Sequence, residues 1–311
     1  MTIEGNVGIA GLKGALRYVR AYRDRVFVVK LGGHVLADPN VLETVATQLA
    51  LVASLNIRLV VVHGGGPQAT ALSRSMGVEP VIVAGRRVTD DTQLEIAKMV
   101  YAGKLNTDLL AALRAHGVAA VGLTGIDGEL ITASRRPPCL VRDDAGVLRE
   151  ADFGWVGDVR SVDPRLLHTL LDARFVPVIG SLAGSGDGQV YNVNADTLAE
   201  SLAVALEAMK LIFLTGAPGV LRDQGDPSSL VTFADPDDLE GLMASGALSG
   251  GMRPKVEACI RAATGGVERT HIIDGRAPDS LLLEVFTGVG TGTMIVRRKE
   301  KATYLGVDMA D

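Results

Sequence analysis

The 311-residue chain lacks the marks of several large protein classes. It has only two cysteines, Cys139 and Cys259, which form no metal-binding spacing and indicate a reducing compartment. No apolar run approaches the roughly 18 residues of a membrane span, and the N-terminus has no signal-peptide pattern. We therefore expect a soluble, cytoplasmic protein with no membrane partner.

An excess of positive charge is missing as well. The 31 lysines and arginines are outnumbered by 36 aspartates and glutamates, so the formal net charge is −5. This balance argues against nucleic acid as a partner. With 47% hydrophobic residues and no internal repeat, the chain can bury real cores in one large or two modest domains.

What the chain does contain is a regular alternation of two patterns. From residue 26 onward, short β-branched apolar runs alternate with longer helical patterns. This alternation predicts an α/β fold with a mainly parallel central sheet, whose ligands bind at the carboxyl ends of the strands. Residues 125–160 are the exception, because their short alternating runs predict β-hairpins that form a flap.

The first predicted strand, residues 26–31, ends unusually. Lys30 interrupts its apolar run, and Gly32 and Gly33 follow directly. Burying a lysine is costly unless it meets an anion, and glycines let a phosphate approach the backbone. This pattern predicts an anion site; the alternative is that Lys30 extends to the surface.

The second predicted strand, residues 58–62, leads into three consecutive glycines at 64–66. A helical pattern starts at Pro67, where the missing N–H of proline costs nothing. The N–H groups at a helix start point outward and bind anions. This turn therefore predicts a second anion site; the alternative is a tight turn without a ligand.

Three further groups of polar residues lie near predicted strand or helix ends. Arg87 follows a short strand and could bind a carboxylate as a fork. Asn192, Asn194 and Asp196 crowd the entry to an apolar helix, although a helix cap accounts for one of them. Lys255 lies near the start of another helix, where a cation opposes the dipole and needs a reason such as an anion.

The familiar nucleotide-binding motifs are absent. Gly103 and Lys104 have Lys98 where a P-loop needs its first glycine, and there is no protein-kinase HRD motif. Two glycine turns and two lysines still supply what phosphoryl transfer needs, namely positioning and charge neutralisation. A carboxylate acceptor is already ionised at neutral pH, so it would need no general base.

Seven segments together resemble the amino-acid kinase family. They occur in family order and cover almost the whole chain from residue 26, which makes the match far more specific than any one glycine motif. They are VVKLGG (28–33), VVHGGGPQ (61–68), GRRVT (85–89), VGLTGIDG (121–128), NVNAD (192–196), GGMRPKVEACIRA (250–262) and THIIDGRAPDSLLLEVFTGVGTGTMI (270–295). Within the family, the chain looks like the arginine-sensitive members that phosphorylate N-acetyl-L-glutamate.

The resemblance implies a three-layer αβα sandwich and a reaction. ATP and N-acetyl-L-glutamate would give ADP and the γ-acyl phosphate, the second step of arginine biosynthesis. Residues 26–180 would bind acetylglutamate and mediate dimerisation, and residues 181–311 would bind ATP. Mg²⁺ would be carried by ATP rather than held in a dedicated protein site.

The resemblance also assigns roles to residues. Lys30 and Lys255 would stabilise the transferring phosphoryl group, and Asp196 would hold both lysines. The other implied residues are Gly32, Gly33, Gly65 and Gly66 for phosphoryl oxygens through their N–H groups, Gly65, Gly66, Arg87 and Asn192 for acetylglutamate, and Thr215, Gly216, Gly219 and Lys255 for nucleotide.

Two residues depart from the family pattern. His34 stands where a small residue or asparagine is common, and Gly216 replaces the aspartate of the usual nucleotide turn. The loss of that aspartate predicts weaker ATP affinity or an altered base preference.

Residues 1–25 precede the catalytic fold. Leu12, Leu16, Val19 and Tyr22 fall on one face, which predicts an amphipathic helix that packs on its own domain or on another subunit. Arginine-inhibited family members carry such a helix, which links dimers into a hexamer and borders the arginine site. The residues at positions resembling that site are His271, Glu284 and Gly290. The alternative is a loose arm and a solvated Glu284.

Two other functions stay open. A kinase of lysine biosynthesis, acting on an aminoadipate-type substrate, would differ by one methylene, worth only about 1–3 kcal/mol of discrimination. A weakly catalytic regulatory protein that binds amino acids is the second alternative. The intact set of Lys30, Asp196 and Lys255 argues against the regulatory protein.

Overall fold

The computed structural model describes residues 4–83, 86–142, 148–248, 251–287 and 290–297. Its helices are α1 (Glu4–Tyr22), α2 (Pro39–Ser54), α3 (Gly66–Ser75), α4 (Asp91–Ala97), α5 (Asn106–Ala115), α6 (Arg165–Asp172), α7 (Ala195–Ala205), α8 (Pro236–Ala244), α9 (Met252–Thr264) and α10 (Ser280–Phe286). Among these helices, none has both the length and the apolar character that a membrane span requires.

Sixteen strands are present in the described ranges. They are β1 (Val26–Leu31), β2 (Arg58–His63), β3 (Ile82–Val83), β4 (Arg86–Arg87), β5 (Ala120–Thr124), β6 (Ile131–Arg135), β7 (Cys139–Arg142), β8 (Leu148–Ala151), β9 (Val156–Val162), β10 (Val176–Gly180), β11 (Leu182–Gly184), β12 (Val190–Val193), β13 (Lys210–Thr215), β14 (Phe233–Ala234), β15 (Arg269–Asp274) and β16 (Thr293–Val296).

Eight of these strands form the central sheet, in the order β14-β16-β15-β13-β1-β2-β10-β5. Every neighbouring pair is parallel except β15 with β16, which run antiparallel. The prediction of an α/β fold with a mainly parallel sheet is therefore confirmed. Parallel order brings the ends of β1, β2 and β13 to one edge, where the predicted glycine turns follow.

Both faces of the sheet are covered by helices. In β1, Val28 enters one hydrophobic core, while Phe27 and Val29 enter the other. The first core includes residues of α6, α7, α8 and α9, and the second includes residues of α1, α2, α3, α5 and α10. A strand buried on both sides has no polar alternation, which is why the middles of β1 and β2 read as apolar runs. The three-layer αβα sandwich is confirmed.

The sequence pattern predicts a long helix that is capped by Thr89 or Asp90 and runs through about Ala115. The helix is present, with one irregularity. Asp90 is the cap, because its side chain accepts a hydrogen bond from the N–H of Gln93 at 2.8 Å. Between α4 and α5 the chain forms a π-helical segment, Lys98–Leu105, so the helix is continuous but locally wider, and its register shifts there. The sequence pattern did not predict this segment.

Among the described residues, three small β structures lie outside the central sheet, and one of them is the antiparallel pair of β3 and β4. Strands β6, β9, β11 and β12 close into a small barrel, and β7 pairs with β8 in a hairpin. The prediction that residues 125–160 stand apart from the central sheet is confirmed. Strands on both sides of residue 180 pair in the barrel, so the lobe boundary proposed there stays a prediction.

One strand is less buried than its composition indicated. Residues 118–123 were expected to form a buried strand, yet β5 is half-buried along its length. The reason is its position, since β5 is the last strand of the sheet and has a neighbour, β10, on one side only.

Candidate active site

Two lysines and one aspartate meet at the carboxyl edge of the central sheet. The Nζ of Lys30 lies 2.6 Å from Oδ1 of Asp196, and the Nζ of Lys255 lies 3.2 Å from Oδ2. The side chains of Lys30 and Asp196 are only 8% and 7% exposed, whereas that of Lys255 is 19% exposed. The fold thus joins three residues from β1, α7 and α9 and leaves one lysine more accessible from solvent.

Local structure fixes Asp196 in its position. Asn194 is the N-cap of α7, and its side chain accepts hydrogen bonds from the N–H groups of Asp196 and Thr197. Asp196 therefore lies in the first helical turn, where the dipole favours a carboxylate. Lys255 is held from its own helix, because its Nζ also donates to the carbonyl of Gly251 at 3.0 Å.

Burial is the largest influence on both partners of the inner ion pair. It lowers the pKa of Lys30, which Asp196 partly counteracts and Lys255 reinforces. Burial alone would raise the pKa of Asp196, but attraction to Lys30 and Lys255 outweighs it and leaves that pKa below its ordinary value. One carboxylate thus faces two amines, and the surplus of basic groups suits an anionic ligand.

The first glycine turn needs its glycines for close packing. A Cβ on Gly32 would lie 2.9 Å from the carbonyl oxygen of Leu214, and one on Gly33 would lie 2.7 Å from Cδ of Pro67. The N–H of Gly32 donates to that Leu214 carbonyl at 2.9 Å. In this conformation β13 already takes the Gly32 N–H, so its use as a phosphate donor stays a prediction that would require this hydrogen bond to be exchanged.

The second glycine turn packs on the π-helical segment and on the first turn. A Cβ on Gly65 would lie 2.8 Å from the ring of Tyr101. Helix α3 starts at Gly66 without a side-chain cap, so its first N–H groups face outward. Gln68 donates to the carbonyl of Gly33 at 2.9 Å, which ties the two turns together. Gly33, Gly65 and Gly66 thus share one wall of the site.

Arg87 lies against the second turn. Its Nη2 donates to the carbonyl of Gly66 at 2.9 Å and to Oγ1 of Thr70, and its Nη1 donates to Oε1 of Gln93 at 2.8 Å. Asn192 donates from Nδ2 to Oγ1 of Thr89 at 3.1 Å. The two polar side chains among the residues predicted to bind acetylglutamate are therefore anchored by the fold.

The residues predicted to bind nucleotide line a cavity of about 400 Å³. Thr215, Gly216, Gly219 and Lys255 all belong to its lining, together with His34. Arg276 donates to the carbonyl of Gly216 at 2.6 Å and pairs with Asp274 at 2.9 Å, which holds the turn after β13. Lys255 therefore belongs both to the charge cluster and to the cavity.

Sequence reasoning missed a buried polar pair beneath the second turn. His63 ends β2, is fully buried and contacts the carbonyl of Gly64 at 2.9 Å; Asn106 Nδ2 lies 3.4 Å from its Nε2. The pKa of His63 is lowered to about 4, mainly by burial; the contact with Gly64 opposes this shift and nearby Lys30 adds to it. His63 is therefore neutral at pH 7. The position of His63 directly before the three glycines at 64–66 is the sequence feature that could have identified it.

The three residues predicted for arginine lie near one another in a second cluster. His271 Nδ1 lies 2.7 Å from Oε1 of Glu284, and the N–H of Thr291 donates to Oε2 of Glu284 at 2.7 Å. A Cβ on Gly290 would lie 3.8 Å from that same Oε2. The sequence did not predict Lys210, whose Nζ lies 3.1 Å from His271 Nε2.

Several known proteins are similar to this chain in sequence or in fold. The model of the amino acid kinase family matches residues 25–274. The acetylglutamate kinase of Myxococcus xanthus is 50% identical over 290 residues, which cover 93% of this chain and 94% of that protein. The acetylglutamate kinase of Methanothermobacter thermautotrophicus is 43% identical over 282 residues, which cover 90% of this chain and 96% of that protein. The N-acetylglutamate synthase of Neisseria gonorrhoeae, solved with coenzyme A and N-acetyl-glutamate, is 31% identical with a TM-score of 0.79 across 93% of this chain and 63% of that one. The chain belongs to the amino acid kinase family.

Proposed function

We propose that the chain transfers the γ-phosphoryl group of ATP to the γ-carboxylate of N-acetyl-L-glutamate. The products are ADP and N-acetyl-L-glutamyl 5-phosphate, in the second step of arginine biosynthesis. The observation that carries the proposal is Asp196 held between two lysines, Lys30 and Lys255, beside two glycine turns. Relatives named acetylglutamate kinase, at 43–50% identity over at least 90% of the chain, support the acceptor.

The charge cluster accounts for the chemistry without a general base. The acceptor carboxylate is ionised at neutral pH, so its oxygen attacks the γ-phosphorus while the bond to the ADP oxygen breaks. Lys30 neutralises charge from the acceptor side and Lys255 from the donor side. Asp196 holds both amines in place, so that little reorganisation is needed when charge develops in the transition state.

Binding of acetylglutamate is proposed for the region around the second turn. Gly33, Gly65 and Gly66 would offer N–H groups to phosphoryl oxygens. Arg87 would pair with a substrate carboxylate and Asn192 would donate an amide hydrogen bond, both from positions that the fold already fixes. We assign this half of the site to the lobe of residues 26–180, with Asn192 reaching in from beyond it.

ATP is proposed to occupy the cavity lined by Thr215, Gly216 and Gly219, in the lobe of residues 181–311. Lys30, Lys255 and the free amides bind anions rather than metals, so they fit the phosphates of the nucleotide. Mg²⁺ would stay mainly on phosphate oxygens and water, as this ion does in many kinases.

The direct test measures ADP release by the purified protein with a panel of acceptors. N-acetyl-L-glutamate should give the highest kcat/KM, and its acyl phosphate should be trapped with hydroxylamine. A preference for the acceptor one methylene longer would identify the lysine-biosynthesis alternative. Tight amino-acid binding without ADP release would identify the regulatory alternative.

Assembly and location are part of the proposal. The core would form a dimer, α1 would link dimers into a hexamer, and the enzyme would be cytoplasmic. Tyr22 near the end of α1 packs on Phe27 and Phe286, with ring centroids 5.2 and 6.2 Å apart, so the helix is anchored to its own core. Leu16 on the same helix is 44% exposed, which leaves an apolar side chain for another subunit.

Inhibition by L-arginine is proposed at the cluster of His271, Glu284 and Gly290. A carboxylate that is buried beside the anchored end of α1 is a suitable partner for a guanidinium. Because Glu284 already contacts His271 and Thr291, arginine binding would have to exchange these contacts for its own. A tenfold inhibition requires only about 1.4 kcal/mol of preference for one state.

Two measurements test assembly and inhibition together. Light scattering should give a hexamer that becomes a dimer when residues 1–25 are removed. Millimolar arginine should inhibit the full-length enzyme and lose its effect in Glu284→Ala. A full-length dimer that ignores arginine would remove this part of the proposal and leave the kinase activity untouched.

A further inference from the structure

The cavity wall carries an imidazole to which the roles above give no function. His34 follows Gly32 and Gly33 after β1, its side chain is exposed, and it lines the same cavity as Gly216 and Lys255. Within the described part of the chain, neither ring nitrogen of His34 has a hydrogen-bond partner. An exposed imidazole with two unengaged nitrogens, on the wall of a cavity, is available to a ligand.

Gly216 lies directly against this imidazole. A Cβ at position 216 would lie 3.5 Å from Cδ2 of His34 and 3.6 Å from its Cβ and Cγ. These are ordinary contact distances, so even the Cβ of a side chain at position 216 would touch the ring. The two residues that depart from the family pattern are therefore neighbours, although they are 182 positions apart in the chain.

The position of His34 points to the phosphate end of a nucleotide. It follows Lys30 by four residues, and the N–H of Val35 donates to the carbonyl of Gly32 at 3.0 Å, which keeps His34 close to the glycine turn. Lys255 joins the cavity to the lysine cluster. An imidazole offers an N–H donor in either protonation state, and phosphate oxygens are strong acceptors.

We infer that His34 donates a hydrogen bond from its ring to the β- or γ-phosphate of the bound nucleotide. Gly216 is required because a side chain there would occupy or engage the imidazole. The inference rests on the proposed function for the identity of the nucleotide as ATP. It concerns nucleotide binding alone and makes no use of the acceptor.

Calorimetric titration of ATP, without acceptor, tests the contact through three substitutions. His34→Ala and His34→Phe should each weaken ATP binding about tenfold, because each removes a donor to a charged acceptor. His34→Gln keeps an N–H donor and should stay within about threefold of the unmodified protein. His168→Ala, on the exposed face of α6, is the matched control and should bind ATP normally.

Comparison of nucleotides identifies the phosphate. Competition titrations should show the His34→Ala loss with ATP but not with AMP, which lacks the outer phosphates. An equal loss for both nucleotides would overturn the assignment, because the contact would then be to the nucleoside or the first phosphate. A His34→Phe protein that binds ATP normally would overturn it too, since the ring alone would suffice.

A double-substitution cycle tests the role of Gly216. Gly216→Asp should weaken ATP binding about fivefold when His34 is present, because the carboxylate can accept the imidazole N–H. This is the opposite of what the family pattern alone predicts, so a gain in ATP affinity would overturn the inferred role of Gly216. The same change should have little effect in His34→Ala. Equal losses in both backgrounds would show that the residues act independently. If ATP binding depends on His34 but acetylglutamate is not phosphorylated, the acceptor is wrong and the inference stands.

Discussion

Two buried lysine–carboxylate clusters lie near opposite ends of the central strands. At the carboxyl edge, Asp196 contacts both Lys30 and Lys255. Towards the amino edge, Lys210 begins β13 and reaches Glu284 only through His271. The first cluster therefore has two amines for one carboxylate. The second has one amine, that of Lys210, for one carboxylate, that of Glu284.

The second cluster is closed by its own contacts. Burial lowers the pKa of Lys210 to about 7 and that of His271 to about 4, the latter with help from Lys210. Burial alone would raise the pKa of Glu284, but His271 and Thr291 outweigh it and bring it to about 2. The Lys210 ammonium also lies 5.2 Å from the ring centroid of Tyr22.

The ratio of amines to carboxylates in the two clusters indicates the role of each buried lysine. A lysine cluster with a surplus of amines beside uncapped amides is arranged for an anion that the protein itself does not supply. A balanced cluster that satisfies its own carboxylate holds secondary structure together as long as the proposed arginine ligand is absent, and here it joins α1, β13, β15 and α10. Replacing residues in each cluster should therefore change different quantities.

The largest effect is expected at the carboxyl edge. Lys30→Ala and Lys255→Ala should each lower kcat by about 10²–10³-fold and change KM much less, because both charges act mainly on the transition state. Steady-state kinetics with saturating ATP and acetylglutamate measure this. Lys104→Ala, at an exposed ion pair with Asp108, is the lysine control. A Lys255→Ala enzyme with normal kcat would remove the assignment.

Breaking the closed cluster should change stability instead. Glu284→Ala leaves His271 and Lys210 buried without their carboxylate and should lower the free energy of unfolding by about 3 kcal/mol. Denaturant titration measures the loss, and kcat should change little. Glu257→Ala removes the exposed partner of Arg253 and should cost almost nothing. Equal stability of the two variants would show that the buried cluster contributes no more than a surface pair.

Low pH should lower the free energy of unfolding through His63, a buried histidine near the cluster of Lys30, Asp196 and Lys255. The pKa of His63 is lowered to about 4, so the unfolded chain binds a proton near pH 6.5 while the native state stays neutral. This contribution is fully present above pH 6.5 and is lost as pH falls through about 4. From pH 8 to pH 5 the loss should be about 2 kcal/mol. His63→Gln should reduce this acid sensitivity in urea titrations; an unchanged slope would contradict a neutral His63.

The smallest effect is expected at the substrate fork. Arg87→Lys should raise the KM for acetylglutamate about tenfold, because a point charge replaces neither the bidentate fork nor its anchors at Gly66 and Gln93. The KM for ATP should not change. Arg86→Lys, one residue earlier, is the control. If only the KM for ATP rises, Arg87 belongs to the nucleotide half of the site and its assignment to acetylglutamate is wrong.

Much of this architecture could be predicted from residue order. β1 and β2 lie within one residue of their predicted bounds, 26–31 and 58–62. One of the three polar residues before α7 was expected to be its cap, and Asn194 is that residue. Helix α8 was missed although Asp235 and Asp238 form a capping box, a signal that the sequence does contain. The π-helical segment gave no readable signal, and its contact between Tyr101 and Gly65 joins residues that are far apart in the chain.

Some roles depended on partners that are distant in sequence. The Gly32 amide looked free because nothing nearby in the chain could accept it, yet β13 brings the carbonyl of Leu214 to 2.9 Å. Lys210 looked like an ordinary residue at a strand start, because His271 and Glu284 reach it only through β15 and α10. The neighbouring positions of His34 and Gly216 were invisible for the same reason.

The sequence by itself determined the elements, their order and the chemical groups at their ends. Glycine, proline and capping residues act within a few positions, and apolar runs report burial directly, so these features do not need tertiary contacts to be read. Only the tertiary structure decided which groups meet: Asp196 with Lys30 and Lys255, Gly33 with Pro67, and His34 with Gly216. Parallel strand pairing brings distant strand ends to one edge, and that nonlocal choice turns separate residues into a site.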